Sequence, residues 1–236
     1  MIDLAELLSP AELEALMLSV RVSFWAVAAS LPLGVLCGFV LARFSFPGKA
    51  LFDGLLHLPL VTPPVVVGYL LLVSFGRNGF IGSWLAEVFN ITLVFTWQGA
   101  ALASAVMAFP LMVRAIRLSI EAVDRRLEAA AATLGANPVR VFFTVTLPLS
   151  VPGVISGVVL GFARSLGEFG ATITFASNIP GATRTLPLAL YTLLQVPGGE
   201  APAMRLAVIS LLISIIALVV AEFLSHKQKR RIEGHS

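Results

Sequence analysis

Arg164 and Glu168 stand four residues apart in a stretch otherwise almost free of charge. That separation is one helical turn, so guanidinium and carboxylate can close an ion pair that leaves the site neutral. Charge at membrane depth is costly and serves function by default. The pair therefore reads two ways: as a structural bridge, which its neutrality favours, or, with Ser165 and Thr172, as transient donors to a passing anion. Other reactive groups are sparse. His57, His226 and His235 are scattered, and Cys37 is the sole cysteine, which excludes an intrachain disulfide and any thiolate metal site. No nucleophile with a base, no paired catalytic carboxylates and no metal-ligand set is present, so the sequence points to no bond chemistry and no enzyme. Gly48-Lys49 is the only Gly-Lys pair and is followed by Ala50. The phosphate loop G-x-x-x-x-G-K-[ST] is therefore missing, and ATP has no binding route of that kind here.

The elements that must carry these residues belong to lipid. Of 236 residues, 58% are hydrophobic and 12% charged, with a mean hydropathy of +0.94. Soluble domains run nearer a quarter charged. Sixteen Lys and Arg against thirteen Asp and Glu leave only +3, too little for a nucleic-acid footprint. Before Arg21 stand four acids, Asp3, Glu6, Glu12 and Glu14, the wrong sign for a signal-peptide leader. The first apolar run is expected to stay in the mature chain.

A helix needs about 20 apolar residues to cross the hydrocarbon. Runs of that size centre on Val22–Ala42, Gly54–Phe75, Ile91–Val113, a stretch ending near Ala163, and Leu206–Ala221. Lipid offers the backbone no partners, so each must be a helix. The expectation is an all-α membrane protein, a polytopic helical bundle in a single domain over 1–236, with five spans near 15–42, 54–75, 91–113, 147–168 and 205–224. Between the last two, 169–200 reads as an outer loop with a short helix around Pro187 to Gln195. The last ten or so residues read as a disordered basic tail.

Positive charge sets the orientation, because short cytoplasmic loops hold an excess of Lys and Arg. With the 114–140 loop inside, eleven bases face the cytoplasm, including Arg43, Arg114, Arg117 and the cluster from Lys227 to Arg231, and five face outward. The N-terminus then lies outside and the C-terminus in the cytoplasm.

Between the third and fourth spans lies EAVDRRLEAAAATLGANPVRVFFTVTLPLSVPG. Ala129 to Ala132 favour helix, Gly135 suits a helix end, and Asn137-Pro138 starts a new segment. Such a smooth ridge fits a groove on a soluble partner; as an Ala run alone it is merely a connector. The segment resembles the "EAA" loop of ABC importer permeases, E-A-A, three residues, G, nine residues, I-x-L-P. Gly135 is followed after nine residues by Val145-Thr146-Leu147-Pro148, whereas Ala129 fills the usual acidic slot and Glu128 stands one residue ahead. The resemblance implies a coupling helix that docks into a separate ATPase through Glu128, Ala129, Ala130, Ala131, Leu134, Gly135 and Ala136.

Three further stretches resemble the molybdate branch of the sulfate/molybdate permeases: FSFPGKALFDGLLHLPLVTPPVVVGYLLLVSFG, FPLMVRAIRLSIEAVD and FARSLGEFGATITFASNIPGATRTLP. The resemblance implies import of molybdate, or tungstate, across the inner membrane by alternating access. It implies a second permease copy in a homodimer, two ATP-binding cassette subunits and an external oxyanion-binding protein. No cofactor is expected on this chain, ATP being used by the partner subunit. Gly34 and Gly38, and Gly153, Gly157 and Gly161, fall four residues apart and allow close helix approach, within one chain or between two.

Pro59, Pro63 and Pro64 remove backbone donors and should kink the second span. Freed carbonyls at depth belong beside protein or water, so Pro63 and Pro64 join Arg164, Ser165, Glu168 and Thr172 as candidates for the translocation pathway, a packing kink being the bland reading. Thr183 and Arg184 are placed on the outer face, toward a docked binding protein or simply solvent. A permease should hold its ion weakly, since a deep well slows release, and no metal site is expected. Rival readings are a permease for sulfate or another small oxyanion, and a secondary transporter, which needs buried coupling acids, of which Glu168 alone lies well within a span, or repeated half-motifs.

Overall fold

The long helix α1, Pro10–Arg43, starts on a capping box in which Ser9 and Glu12 exchange side-chain bonds with each other's backbone N–H. Two reciprocal bonds satisfy donors that have no helical partner and set the helix start at Pro10. In the computed structural model, which describes residues 8–233, every regular element among the described residues is helical. The others are α2, Lys49–Val61; α3, Pro64–Phe75; α4, Phe80–Phe89; α5, Trp97–Glu121; α6, Arg125–Thr133; α7, Pro138–Leu166; α8, Gly170–Phe175; α9, Leu186–Leu194; and α10, Glu200–Glu233. Four of these, α1, α5, α7 and α10, are long and apolar enough to cross a membrane, and α2 with α3 makes a fifth if the bent pair is one span.

Helix α5 is the axis of the bundle, its residues Met112, Val113, Ile116 and Ile120 all buried. Small residues on both neighbours let α1 and α7 close on it. A Cβ at Gly34 would lie 2.8 Å from Met112 Cε, and one at Gly38 would lie 2.9 Å from Ile116 Cγ2. On α7, Gly157 faces the Met112 carbonyl, and a Cβ there would sit 3.0 Å from it. Gly153 faces Ser119 and Gly161 faces Val27. Both four-residue series thus face helices of their own chain. Without a hydrophobic drive between lipid-solvated helices, such close backbone approach is a main source of association.

Several details depart from the sequence reading. The second span is broken, with α3 bent by 112° from the direction of α2. Thr62 and Pro63 are both extended, with ψ of 136° and 132°, as residues before a proline are driven to be, and Pro64 opens a fresh helix. Pro59 sits inside α2 without ending it. Helix α5 begins at Trp97, capped by Thr96, whose hydroxyl accepts from Gly99 N at 3.1 Å, so the residues from Ile91 on are not yet helical. Helix α4 lies ahead of it in a stretch for which no element was expected. Two helices, α8 and α9, occupy residues 169–200, where one was expected. Helix α10 runs to Glu233, through most of the presumed tail; residues 234–236, with the N-terminal acids Asp3 and Glu6, lie outside the described residues.

Candidate functional site

Asp124 opens the segment after α5 by accepting Arg126 N at 2.9 Å on its carboxylate, which caps α6. Nine residues later the helix must stop, and Gly135 stops it. Its φ of +85° lies in the left-handed region that glycine adopts freely. Asn137 then caps α7, accepting Arg140 N at 2.8 Å, with Pro138 in the first helical position. Helix α6 is therefore fixed at both ends by local chemistry.

Its outer surface is bare. No residue of α6 is buried. Ala129 and Ala130 are exposed, Ala131 and Ala136 half-buried, and Leu134 is 89% exposed. With Leu127, Val139 and Phe143 also exposed, this end of the molecule presents apolar side chains around a small-residue ridge. An exposed apolar patch rimmed by charge, here Arg125, Arg126 and Arg140, marks an interaction surface.

Glu128 does not share that exposure. Its Oε1 accepts from Arg43 Nη2 at 2.9 Å, from Arg43 Nε at 3.1 Å and from Thr146 Oγ1 at 2.6 Å. Arg43 also donates to the Val123 carbonyl at 3.1 Å. The carboxylate is turned inward and anchors α6 to the end of α1 and to α7. Beside it a pocket of about 290 Å³ opens between Phe39, Ala132, Ala136, Pro138 and Phe142. Thr146 closes a five-residue π segment, Phe142–Thr146, inside α7. Neither Arg43 nor Thr146 stood out as a site residue in sequence. Arg43 counted only as a cytoplasmic base and Thr146 as the free position of the Leu-Pro pattern.

At the other end, Arg164 Nη1 lies 2.6 Å from Glu168 Oε2, and Glu168 Oε1 accepts Ala171 N at 2.9 Å. Pro64 and Gly170 touch, and a Cβ on Gly170 would lie 2.7 Å from Pro64 Cβ. The break between α2 and α3 thus sits against the turn between α7 and α8, bringing Pro64 beside the segment that holds Glu168 and Thr172. Not all these groups are available to a solute. Glu168 and Thr172 are buried, and the Thr172 hydroxyl bonds the carbonyls of Glu168 and Phe169. Ser165 Oγ is buried with no partner among the described residues. Arg164 keeps partial exposure, and Pro63 is exposed. Thr183 is fully buried and bonds Ile179 N and the Ser177 carbonyl, so it holds the loop and does not face outward. Arg184 is half-buried and donates to Asn178 Oδ1 at 2.9 Å.

A further ion cluster ties α2 to α5. Arg117 contacts Asp53 and Glu121, each at 2.8 Å, and His57 lies 3.1 Å from Asp53. Among the described residues no group of His, Cys, Asp and Glu is arranged to hold a metal.

A bundle of apolar helices with a short exposed helix at one end is the architecture of a polytopic membrane protein. Residues 30–230 match the family described as binding-protein-dependent transport system inner membrane component, and the chain belongs to that family. It is a permease component of the inner membrane, not an enzyme. It is 61% identical over 225 residues to the molybdenum transport system permease protein ModB of Escherichia coli K12, covering 95% of this chain and 98% of that one. The protein of the same name from Haemophilus influenzae is 56% identical over 221 residues, 94% of this chain and 96% of that one. The sulfate transport system permease protein CysT of Escherichia coli K12 is 39% identical over 202 residues, 86% of this chain and 72% of that one. The fold is shared with solved importers. A bacterial alginate ABC transporter matches with a TM-score of 0.71 at 16% identity, covering 98% of this chain and 83% of that one. The MetNI methionine ABC transporter in inward-facing form matches at 0.66 and 15% identity, covering 97% and 99%.

Proposed function

We propose that this chain is the membrane-spanning half of an ATP-driven, binding-protein-dependent importer of molybdate, with tungstate as a close chemical substitute. The observation that carries the substrate is the near full-length similarity to the two ModB proteins, at 61% and 56% identity. In this reading two copies of the chain enclose the path, since one bundle leaves too little wall to line a route and shield it from lipid. An external oxyanion-binding protein delivers the ion. ATP is bound and hydrolysed by two cassette subunits seated on α6, and no cofactor is held by the chain itself. The bare ridge of α6 with the exposed Leu134 supports that seat. The loop carrying α6 faces the cytoplasm, with the N-terminus outside and the C-terminus inside. The break at Pro63 and Pro64, with Arg164 and Ser165 close to the outer turn, is the part of the path that changes shape during alternating access; Glu168 and Thr172 brace it.

The similarity to CysT, at 39%, makes sulfate the second reading. Co-reconstitution with the ATPase subunits in liposomes separates the two. Molybdate-loaded binding protein stimulating ATP hydrolysis, with sulfate-loaded protein inert, supports the proposal; the reverse pattern assigns the chain to sulfate.

A further inference from the structure

Thr146 gives up the bond that a helical threonine ordinarily makes. Elsewhere in the chain, hydroxyls bond back to their own helix: Thr144 to the Arg140 carbonyl at 2.6 Å, Ser156 to Pro152 at 3.0 Å, Ser214 to Ser210 at 2.8 Å. Thr146 instead donates to Glu128 across 18 positions of sequence, at 2.6 Å. It does so from the last position of the π segment, and single π turns inside α-helices gather at functional sites. On the other side of the same carboxylate oxygen sits Arg43, from the last turn of α1, 85 residues away. Arg43 is 10% exposed and Glu128 18%, so the pair is largely withdrawn from water. A withdrawn ion pair is a weak source of stability but can fix one arrangement against others.

We infer that Arg43, Glu128 and Thr146 are positioning residues that form a three-way latch, joining α6 at once to the inner end of α1 and to the π segment of α7. The inference rests on the reading of α6 as the ATPase seat. A load applied to α6 would then reach the membrane through α1, far along the chain, as well as through α7, to which residues 134–137 join it directly. The π segment is where α7 can absorb a change of register, since its hydrogen-bond pattern already departs from that of the flanking α-helix. Without the Thr146 bond the seat still forms, because its ends are capped by Asp124, Gly135 and Asn137. The motion of α6 is then passed to α7 through the connecting residues 134–137 alone, and less of it arrives.

The test uses the full complex in liposomes, with molybdate-loaded binding protein, and reads three quantities: ATPase co-purification, ATP hydrolysis, and molybdate taken up per ATP hydrolysed. Thr146→Val is expected to keep co-purification and hydrolysis without binding protein, and to lower uptake per ATP by about fivefold or more, the low end of ordinary site-to-site coupling. Thr146→Ser, which keeps the donor, restores the ratio. Arg43→Glu and Glu128→Arg each lower it, and their combination recovers part of it. If Thr146→Val and Arg43→Glu take up molybdate at the wild-type ratio while the ATPase stays bound, the latch is wrong and the docking reading stands. If the ATPase remains bound after α6 itself is disrupted by Gly135→Val, the docking reading and the latch fall together.

Discussion

Arg164 and Glu168 form an ion pair at 2.6 Å in which the carboxylate is 1% exposed and the guanidinium 28%. The same carboxylate also caps α8 through Ala171 N at 2.9 Å. Two roles on one side chain make its replacements separable. Glu168→Gln keeps an oxygen for Ala171 but strands the arginine, while Glu168→Ala loses both. Removing one partner of a buried pair is expected to cost about 3 kcal/mol. Thermal unfolding of the detergent-solubilised chain should rank wild type above Gln and Gln above Ala. Equal midpoints for all three would mean that the pair does no structural work.

Close packing of α1 on α5 predicts sensitivity at glycine. At Gly38 a Cβ would lie 2.9 Å from Ile116 Cγ2 and 3.3 Å from Arg117 N, so part of the obstruction is backbone that cannot give way. Gly38→Val should destabilise by about 1–3 kcal/mol, the usual range for overpacking. Gly54, with nothing within 4 Å of a built Cβ, should accept alanine without loss. The comparison is read from paired unfolding curves.

Gly135 tests conformation apart from space. Nothing lies within 4 Å of a built Cβ, so the whole penalty of substitution comes from its φ of +85°. Asparagine tolerates that region and β-branched residues do not. Gly135→Asn should retain the ATPase on co-purification, and Gly135→Val should lose it. Loss with both would point to the side chain clashing with the partner, not to backbone strain.

Leu134 should matter to the complex and not to the chain. At 89% exposure it contributes little to folding, and surface changes usually stay within about 0.5 kcal/mol. Leu134→Asp is expected to leave the unfolding midpoint unchanged and to weaken retention of the ATPase by at least about tenfold, as removal of a central apolar anchor does. A shifted midpoint with intact retention would reverse that assignment.

Much of the architecture was legible because lipid imposes a simple rule. Apolar runs must be helices, and four such helices pass on length and composition. The bounds of α6 were legible from Gly135, Asn137 and Pro138, whose chemistry acts within a few residues. What the sequence hid is either long in range or set by tight sterics. Arg43 meets Glu128 across 85 positions and Thr146 meets it across 18, and no periodicity announces either. The 112° break needed Thr62 and Pro63 both extended, whereas Pro59 leaves α2 continuous; proline count alone does not say which residue turns the chain. Helix α8 packs through contacts of Gly68 with Ala171 and Thr174 and of Gly170 with Pro64, about a hundred positions apart.

The central claim is that α6 lies at the cytoplasmic face and is covered by an ATPase. A single reactive thiol at position 134, introduced as Leu134→Cys with the buried Cys37 replaced by serine, tests it directly. A membrane-impermeant maleimide should label inside-out vesicles and not right-side-out ones, and bound ATPase should block the reaction. Labelling from the outside, or labelling unaffected by the ATPase, would contradict the account.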